Sequence, residues 1–346
     1  HSTHTYKLII NFKETNTNQN ENQAKKLSFK IQITETGSPV LLRSKLINDN
    51  GGSNITTLDN SKYITGAIAN EYLLSSNDNY GITYYFRGNA QNNLIFGGFC
   101  WQVIRINGDG TMRLIYNGTP NGDSCANTNP SIGTAKFNNE ANDNAYVGYM
   151  FGAIGASTYT ATHANTNSSI IKTIIDGWYN VNLASVNDKI NDTEFCADRS
   201  LASGTGIGSV SSQYAGYSRK TTTHVPSLIC TNKNDRFTVT DTTTGNGNLT
   251  YPVGLITMDE IALAGSSITY GTSNPSTFLY TYDKSFWTIT PNSGGSDTTV
   301  YLGGYEGNIG YSRVNVNYGI RPVINLNAGT LILAGDGTTN KPYIVK

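Results

Sequence analysis

Residues Trp287–Leu326 read WTITPNSGGSDTTVYLGGYEGNIGYSRVNVNYGIRPVINL, and the fold of the chain turns on how this stretch is parsed. Between Arg313 and Leu326, the residues Val314, Val316, Tyr318, Ile320, Ile324 and Leu326 share one parity. Arg313, Asn315, Asn317, Arg321 and Asn325 share the other. A two-residue repeat of this kind predicts a strand with one face in a core and the other facing solvent. Upstream, Gly303, Gly304, Gly307 and Gly310 divide Val300–Tyr311 into short extended pieces joined by turns, with Tyr301, Tyr305, Glu306 and Asn308 expected near the tips. Any function of this stretch is then contact made by the tips and the polar face.

The chain has 346 residues, enough for two domains or one large one. Lys plus Arg equals Asp plus Glu at 24 each, and the only basic run is the pair Lys25-Lys26, so bulk charge recruits no nucleic acid. Charged residues make up 14%, well under the usual share of about 25%, and Asn, Thr, Ser and Gly fill the gap. With 22 Tyr against 3 Met, the composition predicts an extracellular protein of short strands and long loops. No apolar run approaches the roughly 18 residues that span a bilayer, and no charged-then-apolar leader opens the chain. Since it begins at His1, a mature or trimmed product is expected, with any signal or anchor lying outside it.

Four cysteines stand at 100, 125, 196 and 230, none in a CxxC and none at metal-ligand spacing from His1, His4, His163 or His224, so no metal or cofactor is expected. An even count in a secreted-looking chain favours disulfides, and three connectivities are open. Nearest-neighbour pairing, Cys100 with Cys125 and Cys196 with Cys230, would close two long loops at about 2 to 4 kcal/mol each. Four reduced core cysteines in a cytosolic protein is the alternative.

Taken in order, Tyr6–Phe12 and Leu27–Ile33 alternate apolar and polar residues around a polar loop and predict a β-hairpin. A lone hairpin is marginal, so it must complete a sheet within the chain, in an upstream module or in a neighbouring subunit. Gly37-Ser38-Pro39 reads as a linker, dividing residues 1–36 from a domain at 37–346. Val103, Arg105 and Ile106 lead into Asn107-Gly-Asp-Gly110 and Met112, Leu114 and Tyr116 lead out of it, a hairpin turn rather than a calcium loop, because the regular oxygen-ligand spacing is missing. Ser168 or Ser169 can cap a helix over IIKTIIDGWYNVNL, with Ile170, Ile174 and Trp178 as one stripe and Ile171 and Ile175 beside it. Thr257 and Glu260 form a capping box for a second helix that Gly265 stops. The glycine- and serine-rich segment 200–220 reads as a long loop, and Gly335-Asp-Gly337 as the turn of a last short hairpin. Two helices among many short strands make an α+β fold.

Tyr84-Tyr-Phe-Arg-Gly-Asn89, the Phe99–Tyr116 block, the Trp287–Pro291 opening and the Gly319–Leu326 ending together resemble uncharacterised secreted or surface proteins of gut Gram-positive bacteria, over roughly Tyr80 to the C-terminus. That group is similar to the C-type-lectin-like fold in the version shared by formylglycine-generating enzymes and the variable proteins of diversity-generating retroelements. The resemblance implies a lectin-like domain of short strands and two helices, and an N-terminal hairpin that usually closes a preceding β-sandwich module. Formylglycine-generating enzymes work through two cysteines close to the end of that domain. No cysteine follows Cys230, so their activity is not carried over. The calcium-binding triplets of sugar-binding C-type lectins are not recognisable either.

No GxSxG, HExxH, P-loop or dinucleotide fingerprint occurs. His163 and His224 read as structural or exposed, and the doublet Asp259-Glu260 is explained by the cap. The expectation is therefore a non-enzymatic extracellular adhesion or ligand-display protein that binds a host or bacterial surface protein or glycan. Tyr301, Tyr305, Asn308, Tyr311, Arg313, Asn315 and Asn317 are the candidate contacts, since Tyr supplies stiff contact area and Asn adaptable hydrogen bonds. The alternative is a pilus-like filament subunit that self-associates by donating the strands of residues 6–33.

Overall fold

A computed structural model describes residues 39–52, 55–57, 66–67, 72–126, 128–269, 272–282 and 284–346. The expected hairpin at residues 6–33 lies outside them. Pro39–Lys346 forms one compact unit, sheet-rich with few helices and α+β in class.

Strands β1 (Thr56–Thr57), β2 (Leu73–Asp78), β3 (Gly81–Phe86), β4 (Asn93–Phe96), β5 (Phe99–Ile106) and β6 (Met112–Tyr116) begin the first sheet. The β5–β6 hairpin is its spine, and everything from Cys100 to Ile106 and from Met112 to Tyr116 is buried. Its turn closes where the sequence places it: Asn107 N donates to Thr111 O at 2.8 Å, and Gly110 takes φ 84°, which glycine adopts without a Cβ clash. One edge of β5 carries β6. The other carries β4 beside Phe99–Gln102 and β3 beside Arg105 and Ile106, so the sheet forks there. Asn92 fills the fork, giving its carbonyl to Val103 N at 2.9 Å and its amide to Val103 O at 2.9 Å.

The second sheet uses β7 (Thr134–Ala135), while the short β8 (Met150–Phe151) and β9 (Asn167–Ser168) pair with each other. Next come β10 (Phe195–Cys196), β11 (Leu201–Ser203), β12 (Ser212–Tyr214) and β13 (Arg236–Phe237), of which β10 and β13 pair apart. The last strands are β14 (Phe286–Gly294), β15 (Thr299–Gly303), β16 (Ile309–Arg313), β17 (Tyr318–Gly319), β18 (Val323–Leu326), β19 (Ile332–Ala334) and β20 (Tyr343–Val345). The second sheet runs β11-β12-β14-β15-β16, with β17 joining β14 to β7. Pro291 cannot donate to the ladder, and β14 changes register on either side of it. The stretch read as a loop at 200–220 thus supplies two strands of a sheet. The final hairpin, β19 with β20, returns to the first sheet, where β20 lies parallel to β4.

The long strand expected from Arg313 to Leu326 is not continuous. After β16 the chain turns at Val314–Val316, and after β17 the residues Ile320, Arg321 and Pro322 carry it into the first sheet, where β18 pairs with β6. Val316 is exposed, while Arg321 and Asn325, assigned to the solvent face, are buried. The reason is a second layer over them: Asn325 Nδ2 donates to Thr193 O at 3.3 Å, and Asn107 Nδ2 donates to Asn325 Oδ1 at 3.0 Å. Every polar atom buried in this way needs such a partner.

The three longest α-helices among the described residues pack against the sheets. Helix α1 (Leu42–Asn50) buries Leu42 and Leu46. In α2 (Ile170–Asn182) the Ser169 hydroxyl accepts from Lys172 N at 3.2 Å, and α3 (Met258–Leu263) starts at the Thr257–Glu260 capping box. The buried stripe of α2 is Ile171, Ile175 and Tyr179 rather than Ile170, Ile174 and Trp178. Ile174 is exposed, and half-buried Trp178 packs its ring on Phe99, Trp101 and Tyr116. Two disulfides, Cys100–Cys125 and Cys196–Cys230, pair nearest neighbours and leave no free cysteine. Among the described residues, no helix is long and apolar enough to cross a membrane.

Candidate functional site

The seven candidate contacts do not form one patch. Strands β15 and β16 make a hairpin whose tip, 304–308, carries Tyr305 and Asn308. Gly307 has φ 70°, and a Cβ there would lie 2.0 Å from Asn274 O, so the tip is a tight turn docked on Ser267, Asn274 and Thr281. Tyr305 is 44% exposed and Asn308 partly buried. At the opposite end of β16 stand Tyr311 and Arg313, followed by partly buried Asn315 and exposed Asn317.

Tyr301 has to be removed from the set. It is 1% exposed, although it pairs directly across the hairpin with Tyr311, which is 59% exposed. The difference is the one-turn helix Ala215–Ser218, which covers Tyr301 and stops short of Tyr311: a Cβ on Gly216 would lie 3.4 Å from the Tyr301 ring.

Beside Tyr311 is a groove of about 330 Å³ between β12, β14 and β15. Its floor is a fixed array of amides and hydroxyls: Asn292 Nδ2 donates to Thr299 Oγ1 at 2.9 Å, and the Ser293 and Thr299 hydroxyls lie 2.8 Å apart. Gln213 lines it from β12, and Tyr217 joins Tyr311 along its side. At the rim the exposed Arg313 guanidinium pairs with Asp297. The lining offers hydrogen-bonding groups and aromatic surface.

Charged groups concentrate elsewhere, in a buried network between α3 and the first sheet. Arg105 reaches Asp78 at 2.6 Å and Glu260 at 2.9 Å, and Arg113 reaches the same Glu260 oxygen at 2.6 Å. Arg219 spans Asp198 at 2.6 Å and Asp259 at 2.7 Å. Burial raises the Glu260 carboxyl, but Arg113 and Arg105 outweigh it and hold it below its usual range. Glu194 lies differently. Burial pushes it up to about 7, with Arg236 opposing from 3.8 Å. A shifted carboxyl in a cluster of arginines is a common mark of catalysis. The space among these groups, however, is only about 20 Å³, room for about one water and no substrate. The network cross-links α3, β5 and β6.

His163 is buried, its ring 4.3 Å from that of Tyr159, with Nε2 3.1 Å from the Gly206 carbonyl. Burial lowers it to about 3, so it is neutral, with its proton on Nε2 facing that carbonyl. His224, which ends the helical turn Arg219–Thr223, places Nδ1 2.8 Å from Lys220 O of that turn. The Asp259-Glu260 doublet splits as its neighbours dictate, Asp259 to Arg219 and Glu260 to Arg105 and the cap. Comparison with family models, curated proteins and solved structures returns no match.

Proposed function

We propose that Pro39–Lys346 is the ligand-binding unit of a non-enzymatic bacterial surface protein, lectin-like in its frame and exposed outside the cell, that binds a polar partner on another surface, a glycan or a protein. The observation that supports this reading is the groove at the end of β16. Tyr311 stands largely in solvent over a floor of pre-positioned amides and hydroxyls, with the Arg313–Asp297 pair at the rim. A rigid floor lowers the ordering cost of binding, and a Tyr ring contributes contact area through only two torsions. The two disulfides are compatible with an oxidising compartment.

Tyr311→Ala and Arg313→Ala test the assignment against arrays of surface glycans and surface proteins. Each side chain is exposed, so the melting temperature should stay within about 1 °C of the parent. Affinity for the array-identified ligand should fall at least tenfold in Tyr311→Ala. Unchanged affinity in both variants rejects this groove.

A further inference from the structure

A second groove, of about 580 Å³, opens on another part of the surface, and Arg321 lies at its floor. Asn129 and Ser131 line one wall, and Phe278, Tyr280, Tyr282 and Phe286 line the other. Arg321 is 2% exposed. Its Nε donates to Tyr116 O at 3.0 Å, and its Nη2 donates to Gln102 Oε1 at 3.1 Å and Asn117 Oδ1 at 3.4 Å. Gln102 is locked in that orientation because its own amide donates to Phe278 O at 3.1 Å. The guanidinium carbon sits 4.9 Å from the Phe286 ring centroid.

All of these partners are neutral. Arg105, Arg113, Arg199 and Arg219, also well covered, each meet a carboxylate within 2.9 Å. Arg321 meets none among the described residues, and none of them accepts from its Nη1. Burial without a countercharge lowers it to about 9, which still leaves it a cation at neutral pH. A desolvated cation costs free energy unless an anion comes to it. The described lining residues supply no acid of their own, and Lys284 adds a second positive charge at the mouth. Tyr282, 81% exposed, and Tyr280 stand beside Lys284, while Asn129 and Ser131 line the facing wall.

From this juxtaposition we infer a binding site for a carboxylated sugar, with the carboxylate on Arg321 Nη1, the ring against Tyr280 or Tyr282, and the ring hydroxyls on the amide and hydroxyl wall. The volume falls within the range of ordinary small-ligand sites, about 300 to 1,000 Å³. A planar guanidinium edge suits a carboxylate, and aromatic faces suit the apolar face of a pyranose. This inference does not depend on the Tyr311 groove, which shares no lining residue with it.

Calorimetric titration of Pro39–Lys346 within the full chain, with D-glucuronate and N-acetylneuraminate and with the methyl ester of each, tests it directly. At least one acid should bind ten or more times tighter than its neutral ester. Lys284→Glu, an exposed change, should weaken that acid at least fivefold and leave the ester alone. Arg321→Gln should abolish the preference for acid over ester; if that variant does not fold, Lys284→Glu decides. Equal binding of acid and ester, no binding of either acid, or an acid preference that survives both substitutions overturns the assignment. Tyr311→Ala should bind the acid as the parent does.

Discussion

His163 is held neutral at the cost of acid sensitivity. Its folded value of about 3 lies below the usual 6.5 because burial disfavours the cation, and Arg199 adds to the effect. Above pH 6.5 neither folded nor unfolded chain is protonated there, and the residue contributes no slope. As pH falls from 6.5 toward 3 the unfolded chain takes up a proton that the folded chain refuses, so stability drops, by up to about 1.4 kcal/mol per pH unit. His163→Gln keeps a donor for Gly206 O and removes the titration. Urea melts from pH 7 to pH 4 should show a flatter stability profile in the variant; parallel profiles would show that His163 does not set the slope. At the same scale, the exposure of Tyr311 and Arg313 was readable from a polar, tyrosine-rich hairpin. The burial of Tyr301 was not, because what covers it is Ala215–Ser218, some eighty residues earlier in the chain and without a motif of its own.

Helix α3 is six residues long and fully buried, so its start matters more than its propensity. Thr257 Oγ1 accepts from Glu260 N at 3.0 Å, and Glu260 Oε2 accepts from Thr257 N at 2.9 Å, while the other Glu260 oxygen serves Arg105 and Arg113. One carboxylate therefore does two jobs. Thr257→Ala should cost about 1 to 2 kcal/mol, the loss of a cap. Glu260→Ala should cost at least about 3 kcal/mol, since it also leaves Arg113 buried without its paired carboxylate and Arg105 with Asp78 alone. Equal losses in chemical denaturation would show that the ion pairs of Glu260 add nothing beyond the cap. The box was legible because four adjacent residues specify it. The buried face of α2 was misread by one position, since Ile170, Ile171, Ile174 and Ile175 give two equally apolar stripes and only the packed neighbours choose between them. Parity failed from Arg313 to Leu326 for a related reason: the strand is broken at Val314–Val316 and again at Ile320–Pro322, and contacts with distant segments bury Arg321 and Asn325.

For the whole unit, the two disulfides close loops with sequence separations of 25 and 34 residues. Loop-closure entropy assigns about 3.5 to 4 kcal/mol to each. Replacing Cys196 and Cys230 together by Ala should lower stability by about that amount in denaturant melts, and replacing Cys100 and Cys125 should do the same; a loss under about 1 kcal/mol would mean the native packing holds those loops unaided. What the amino-acid sequence made plain was local: the β5–β6 hairpin, the β19–β20 hairpin, the caps and the α+β class. What it hid was nonlocal, namely the fork on β5, the enlistment of 200–220 as strands, and the buried arginine at the base of a groove assembled from Gln102, Phe278 and Arg321. The passage of Ile320–Pro322 from one sheet to the other carries one further consequence. Leu114 has no partner on its outer side until Ile324 exists, and Leu94 none until Tyr343 does. The strands of the second sheet have therefore to be synthesised after β6 before either edge can be sealed, and in that interval the unsealed strands are open to aggregation and to capture by a holdase.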